Sequence, residues 1–353
     1  MNPYWSALAR DLHPYVPGEQ PHIADLVKLN TNENPYPPSP KALEAIRAAA
    51  NEALRLYPDH EATALRAALA RYHGVAPENV FVGNGSDEVL AHVFAALLRH
   101  DKPLLFPDVT YSFYPVYAQL TGVTCETVPL DADFRLSIAD YRRPCGAIIL
   151  ANPNAPTSLA HPLAGLEALV AEHADIPVVI DEAYVDYGGE SALPLLARFS
   201  NLLIVRTFSK SRALAGLRVG YALGDAGLIE SLVRVKDSFN SYPLGAPAQA
   251  GALASVEDEP YFQTRLAEVI AERDRMTAEL DQLGFEVLPS ATNFVFARHP
   301  RFAGADLAAD LRARAVLVRH FAKPRTAAYL RITVGTPADT GRLIQALGEI
   351  VGV

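Results

Sequence analysis

The residue best placed to do covalent chemistry is Lys210, which follows the wholly apolar run Leu202-Leu203-Ile204-Val205 within Arg206-Thr207-Phe208-Ser209-Lys210. A lysine amine attacks a carbonyl to form an imine, and apolar flanks favour the uncharged form that does so. A lysine among hydroxyls is more often a solvated side chain; its position after a buried strand, at a cleft edge, is what singles it out. Arg218, within Gly216-Leu217-Arg218-Val219-Gly220, carries a planar fork able to grip two oxygens of a phosphate. After Val178-Val179-Ile180 comes Asp181-Glu182-Ala183-Tyr184. An acid there serves a ribose, a metal or a protonated ring nitrogen, or merely caps the next turn. After Val80-Phe81-Val82, the turn Gly83-Asn84-Gly85-Ser86-Asp87-Glu88 opens a helix whose free N–H groups suit a phosphate. A Gly-x-Gly turn is also an ordinary strand-to-helix connection, and the third glycine of a dinucleotide fingerprint is absent.

Each of these residues follows a short apolar run. Runs at 80–82, 104–106, 147–150, 178–180 and 202–205 alternate with amphipathic stretches from about Ser86, after Tyr111 and from about Pro162. That pattern predicts an α/β fold with a mostly parallel central sheet sandwiched by helices, whose ligands lie beyond the carboxyl ends of the strands. After Tyr242-Pro243-Leu244-Gly245 two helical stretches follow in succession, ending near Leu283 with Gly284 as a stop. Apolar runs at 285–288, 293–296, 316–319 and 329–334, with helices at 305–314 and from Pro337, predict a smaller α+β unit. The expected division is an N-terminal arm over 1–30, punctuated by Pro3, Pro14, Pro17 and Pro21, a large domain over 31–245 and a small one over 246–353.

The 353 residues allow one large core or two moderate ones, and half are hydrophobic. A net charge of -9 with dispersed Lys and Arg excludes a nucleic-acid surface and leaves a small molecule as the expected ligand. No run approaches the roughly 18 apolar residues of a membrane span, and residues 1–10 show no leader pattern, so a cytoplasmic location is expected. Cys125 and Cys145 lack disulfide or zinc spacing and read as buried thiols, and no metal is expected.

Taken in order, Leu12-His13-Pro14-Tyr15, Leu29-Asn30-Thr31-Asn32-Glu33-Asn34-Pro35, Asp181-x-x-Tyr184, Ser209-Lys210, Gly216-Leu217-Arg218-x-Gly220 and Leu330-Arg331-Ile332-Thr333-Val334-Gly335 span nearly the whole chain. The sequence thereby resembles the fold-type I aminotransferases that use pyridoxal 5'-phosphate, and within them the branch acting on histidinol phosphate. The resemblance implies that Lys210 holds the cofactor as a Schiff base, Asp181 pairs with its ring nitrogen and Tyr184 bonds its ring hydroxyl oxygen. It implies a phosphate site among Gly85, Ser86, Asp87, Thr207, Ser209 and Arg218, with Tyr111 stacked on the ring. Tyr57 would reach the phosphate in the neighbouring subunit of a homodimer with shared active sites. Tyr15, Asn32, Arg319 and Arg331 would bind the substrates, L-histidinol phosphate and 2-oxoglutarate or glutamate, in a step of histidine biosynthesis.

The chain departs from the family at Pro153-Asn154-Ala155-Pro156-Thr157-Ser158, where Pro-Asn-Asn-Pro-Thr-Gly is usual. Ala155 removes an asparagine that bonds the ring hydroxyl oxygen, so Asn154 or Asn152 must replace it or the contact is lost. Ser158 falls where the turn favours φ > 0. Two arginines among tyrosines would also suit an aromatic or broad-range aminotransferase, and a phospho-amino-acid decarboxylase is possible on the same scaffold. A regulator without turnover lacks the DNA-binding segment it would need, and a nucleotide-binding oxidoreductase lacks its glycine pattern.

Overall fold

The computed structural model describes residues 3–352. The chain begins with α1 (Ala7–Asp11), β1 (Val27–Leu29), α2 (Pro40–Ala49) and α3 (Thr63–His73). Then come β2 (Val80–Gly83), α4 (Gly85–Ala96), β3 (Leu104–Pro107), α5 (Tyr114–Thr121) and β4 (Cys125–Val128). They are followed by β5 (Ala147–Ala151), α6 (Leu163–Glu172), β6 (Val178–Asp181), β7 (Leu202–Thr207), β8 (Gly220–Gly224), α7 (Ala226–Phe239) and α8 (Ala246–Glu257). The remainder is α9 (Glu259–Gln282), β9 (Glu286–Val287), β10 (Phe294–Arg298), α10 (Gly304–Ala313), β11 (Val316–His320), β12 (Tyr329–Thr333) and α11 (Pro337–Val351).

Seven strands form one sheet in the order β2-β8-β7-β6-β5-β3-β4, parallel except that β8 runs against both of its neighbours. Alternate side chains point to opposite faces, so the apolar runs feed two cores. Val80, Ile148, Ile180 and Ile204 face one, with Leu65 of α3 and Val256 of α8, while Phe81, Ile149, Val179 and Val205 face the other, with Leu90 of α4 and Leu232 of α7. Covered on both faces, β5, β6 and β7 have no need of polar alternation, which is why they read as unbroken apolar runs. β4 is the edge strand and only Val128 of it is buried, so Cys125 is exposed rather than buried; Cys145 is buried as expected.

A second sheet, β1-β11-β12-β10-β9, packs on α9 and α11. Thr336 and Asp339 close a reciprocal capping box at the start of α11, beside Pro337 at its first position. The packing differs from the expected division at two places. Val27 to Leu29 pair in parallel with Val316 to Val318, so the arm ends as a strand of the small sheet. α8 contributes Ala252 and Val256 to the core of the large sheet, and α9 contributes Phe262, Val269 and Met276 to the other, so the chain passes between cores at Asp258, held by Ser39 and Lys41. Among the described residues no helix is long and apolar enough to cross a membrane.

Candidate active site

The ends of β5, β6 and β7, the start of α4 and the small sheet enclose a cavity of about 230 Å³. At one end lies the N-terminus of α4, where Asn84 offers no side-chain cap, leaving the first N–H groups of the helix to other partners. Gly85 has φ +80°, and a Cβ there would meet Arg218 Nη2 at 2.4 Å, so glycine is what lets the guanidinium close on the helix start. Arg218 pairs with Asp87 at 2.9 Å and donates to Ser209 Oγ at 3.4 Å. Ser86, Asp87, Thr207, Ser209 and Arg218 all line the cavity. Gly85 does not; its contribution is clearance.

On the floor, Asp181 ends β6, with Oδ2 accepting from the buried Tyr114 hydroxyl at 2.9 Å and Oδ1 from the Ala183 N–H at 3.2 Å. Burial pushes its carboxyl up to about 6, against those two hydrogen bonds, which lower it. The acid caps a turn and faces the cavity at once. Tyr111 lines the wall, its hydroxyl held by Asp87 at 3.0 Å, and burial pushes that phenol well above its ordinary range. Lys210 projects from the loop after β7, its Nζ 3.2 Å from the Thr31 carbonyl and 5.8 Å from the centre of the Tyr184 ring. Asn34 fixes that loop by donating to the carbonyls of Lys210 and Ser211, and Ser211 donates to Asp186. Beneath it, Arg206 forms a buried pair with Glu182 at 2.8 Å.

On the small-sheet side of the cavity stand Arg319 and Arg331, directly across from each other on the antiparallel strands β11 and β12. Arg331 donates to the Asn30 carbonyl at 2.8 Å and its ring-side neighbours are Phe294 and Phe321, while its Nε is buried with no partner. Burial pulls its guanidinium below the usual range; the phenols of Tyr184 and Tyr15 act the other way, Arg319 adds to the depression, and no carboxylate takes part. Two like charges facing across a strand pair repel. Arg319 donates to the Val16 carbonyl, and Tyr15 packs on Phe113 with ring centres 4.7 Å apart, so the arm covers this side.

Besides Gly85, two expected cofactor contacts, Asn154 and Tyr57, fall outside the cavity. Asn154 spends its amide on the Val109 carbonyl and Thr157 Oγ1, both at 2.9 Å, and accepts from Thr110 Oγ1 at 2.8 Å. Asn152 closes a ring of hydrogen bonds with the backbone of His161. Both asparagines line a neighbouring cavity instead, and Ala155 faces the main one, so neither replaces the missing amide. Tyr57 is 82% exposed and stacks on Tyr242 with centres 4.6 Å apart, away from the cavity of its own chain. Asn32 does line the cavity, but its amide is engaged by Tyr184 and Thr333. Ser158 has φ +65°, the conformation for which glycine is usual there, and its hydroxyl donates to the Pro289 carbonyl.

The model of the family Aminotransferase class I and II matches residues 24–347. The chain belongs to that family. The aminotransferase is 64% identical over 351 residues to histidinol-phosphate aminotransferase 2 of Rhizobium meliloti, covering 99% of this chain and all of the relative. It is 65% identical over 351 residues to histidinol-phosphate aminotransferase 1 of Bradyrhizobium diazoefficiens, with the same coverage. Its fold matches the crystal structure of histidinol-phosphate aminotransferase from Sinorhizobium meliloti in complex with pyridoxal-5'-phosphate, with a TM-score of 0.89 at 26% identity over 100% of this chain and 98% of that one. Tyr114 is the part of the aminotransferase site that no motif announces, and Asn34 and Thr333, though inside its motifs, are given no role by them. Tyr114 opens α5 and is buried like any core tyrosine, and only the fold brings it to Asp181.

Proposed function

We propose that the protein transfers an amino group between L-histidinol phosphate and 2-oxoglutarate, with pyridoxal 5'-phosphate as cofactor, in the cytoplasmic synthesis of histidine. The observation that carries this reading is the pair Arg319 and Arg331, facing each other from β11 and β12 on the small-sheet side of the cavity, with no salt bridge from either among the described residues. One anion-binding site suits the cofactor phosphate; the other suits the anion of a substrate. Histidinol phosphate presents a phosphate where glutamate presents a carboxylate, and the same arginines serve both.

The donor set fits the cofactor. The open α4 terminus, Arg218 and the hydroxyls of Thr207 and Ser209 would hold its phosphate, Tyr111 its ring face, Asp181 its ring nitrogen and Tyr184 its ring oxygen. When bound, it supplies a ring that accepts the electrons left at the substrate's α-carbon. Lys210 is the amine that would hold the cofactor, and its free Nζ would carry the proton at the substrate's α-carbon. The Asp181 carboxyl, raised by burial, would ionise against a cationic ring nitrogen and so hold the proton there by charge. Tyr15, on the arm, lines the cavity and would cover the substrate.

The exposed apolar patch around Tyr57, with Leu54, Leu56, Phe239 and Tyr242, is the surface for a second copy, which would bring Tyr57 to the partner's phosphate site. A second reading, an aromatic aminotransferase, draws on the Tyr15–Phe113 wall beside the arginines. The test is the visible band of the protein loaded with pyridoxal phosphate. Bleaching by L-histidinol phosphate, reversed by 2-oxoglutarate, supports the proposal; equal or easier bleaching by L-phenylalanine favours the second reading. Lys210→Ala should lose both the band and turnover while its unfolding temperature stays near that of the parent, and activity retained in that variant defeats the assignment of Lys210.

A further inference from the structure

Asn32 sits at φ +57° with 1% of its surface exposed, beneath Tyr184. Its backbone N–H donates to Thr333 Oγ1 at 3.0 Å. The Thr333 hydroxyl, having accepted there, directs its own proton to Asn32 Oδ1, also at 3.0 Å. The Asn32 amide thus turns its oxygen toward Thr333 and its nitrogen toward Tyr184 Oη, at 2.9 Å. An amide NH₂ can only donate. The Tyr184 oxygen therefore accepts from Asn32, and its proton is turned away from Asn32. Asn293 clamps the same residue by donating to the Asn32 carbonyl at 3.0 Å.

We infer that Asn32 is a positioning residue which, with Thr333, orders the Tyr184 hydroxyl as a donor into the cavity, toward the ring oxygen of the cofactor. The inference rests on the functional reading above. Tyr184 alone is ambiguous, since a phenol can donate or accept; the Asn32–Thr333 pair removes the ambiguity. Thr333 lies on β12, two residues beyond Arg331. One strand of the small sheet thus carries both the guanidinium that receives the substrate's anion and the hydroxyl that orders Tyr184. Placing that strand sets substrate binding and cofactor hydrogen bonding together.

The measurement is the pH midpoint of the visible band of the protein loaded with pyridoxal phosphate, alongside the dissociation constant for the cofactor. When the proton on the nitrogen joining Lys210 to the cofactor leaves, the ring oxygen keeps its negative charge without a neighbouring cation. A donor at that oxygen stabilises the deprotonated form and lowers the midpoint. Asn32→Gly removes the amide and tolerates the left-handed backbone. It should raise the midpoint by about one pH unit, the size of one hydrogen bond to a charged group. Tyr184→Phe should raise it at least as far, and the double variant no further than Tyr184→Phe alone. Asn32→Asp, of nearly the same shape, offers an acceptor in place of a donor and should also raise the midpoint, so the test does not depend on the glycine variant folding. A midpoint that stays in place in both Asn32 variants while Tyr184→Phe moves it overturns the ordering role, as do shifts that add in the double variant. If the parent protein shows no visible band, the cofactor reading itself fails, and the ordering role with it.

Discussion

Replacing Arg331 by methionine should separate affinity from stability and move them in opposite directions. The guanidinium lies between the rings of Phe294 and Phe321, with Arg319 across the strand pair, and no acid offsets its charge. Methionine keeps the straight apolar stem and removes the charge. In the ligand-free protein the loss is one hydrogen bond to the Asn30 carbonyl, about 1 kcal/mol to a few, against relief of a desolvated, unpaired cation. Relief of this kind stabilises by roughly 1–4 kcal/mol, so the net effect is an unfolding free energy equal to or up to about 2 kcal/mol above that of the parent. Toward substrate the balance is different, because the buried pairing with an anion proposed for Arg331 would be lost outright. Breaking one costs about 3–5 kcal/mol, which at 1.36 kcal/mol per decade is a fall in kcat/KM of at least about a hundredfold. The assays are denaturant unfolding of the cofactor-free protein and single-turnover reaction with L-histidinol phosphate. A variant that loses about 3 kcal/mol of stability, or keeps kcat/KM within threefold, refutes the reasoning, since it would show that Arg331 already has a partner or meets no anion.

Asp181 gives the cofactor-free protein a stability that falls with rising pH. Its carboxyl is at about 6 when folded, against 3.8 ordinarily, so the folded state holds more protons between those values. The contribution is fully present below about pH 4 and is lost as pH rises through 6, by about 3 kcal/mol in all, and the parent minus Asp181→Asn difference in unfolding free energy from pH 4 to 7.5 should show that slope. A flat difference removes the burial argument. Tyr57→Phe should weaken pyridoxal phosphate binding about five- to tenfold, the worth of one hydrogen bond, while sedimentation still shows a dimer. An unchanged affinity would take Tyr57 out of the partner's site.

Much of this architecture is readable along the chain. The apolar runs at 80–82, 147–150, 178–180 and 202–205 are strands buried on both faces, and that burial is a property of composition over four or five residues. Because ligand sites lie where such strands end, Lys210, Asp181 and the turn at Gly85 could be named from their places after the runs. Shorter or less patterned pieces were not readable. β1 is three residues long, the buried faces of α2 and α3 are built partly of alanine, and β8 runs antiparallel within a sheet whose other strands suggest the parallel direction. Asn154 illustrates a second limit. It is one of two asparagines that could replace the amide lost at Ala155, yet Val109, Thr110 and Thr157 engage its side chain, and Val109 and Thr110 are known as partners only once β3 and β5 lie side by side. The same holds for Tyr114 on Asp181 and for Asn32, Thr333 and Tyr184, whose members are 67 and up to 301 residues apart. Residue type and local burial are written in the order of the amino acids, whereas the direction of a hydrogen bond and the lack of an acidic partner for Arg331 among the described residues depend on groups that only packing brings within 3 Å or so.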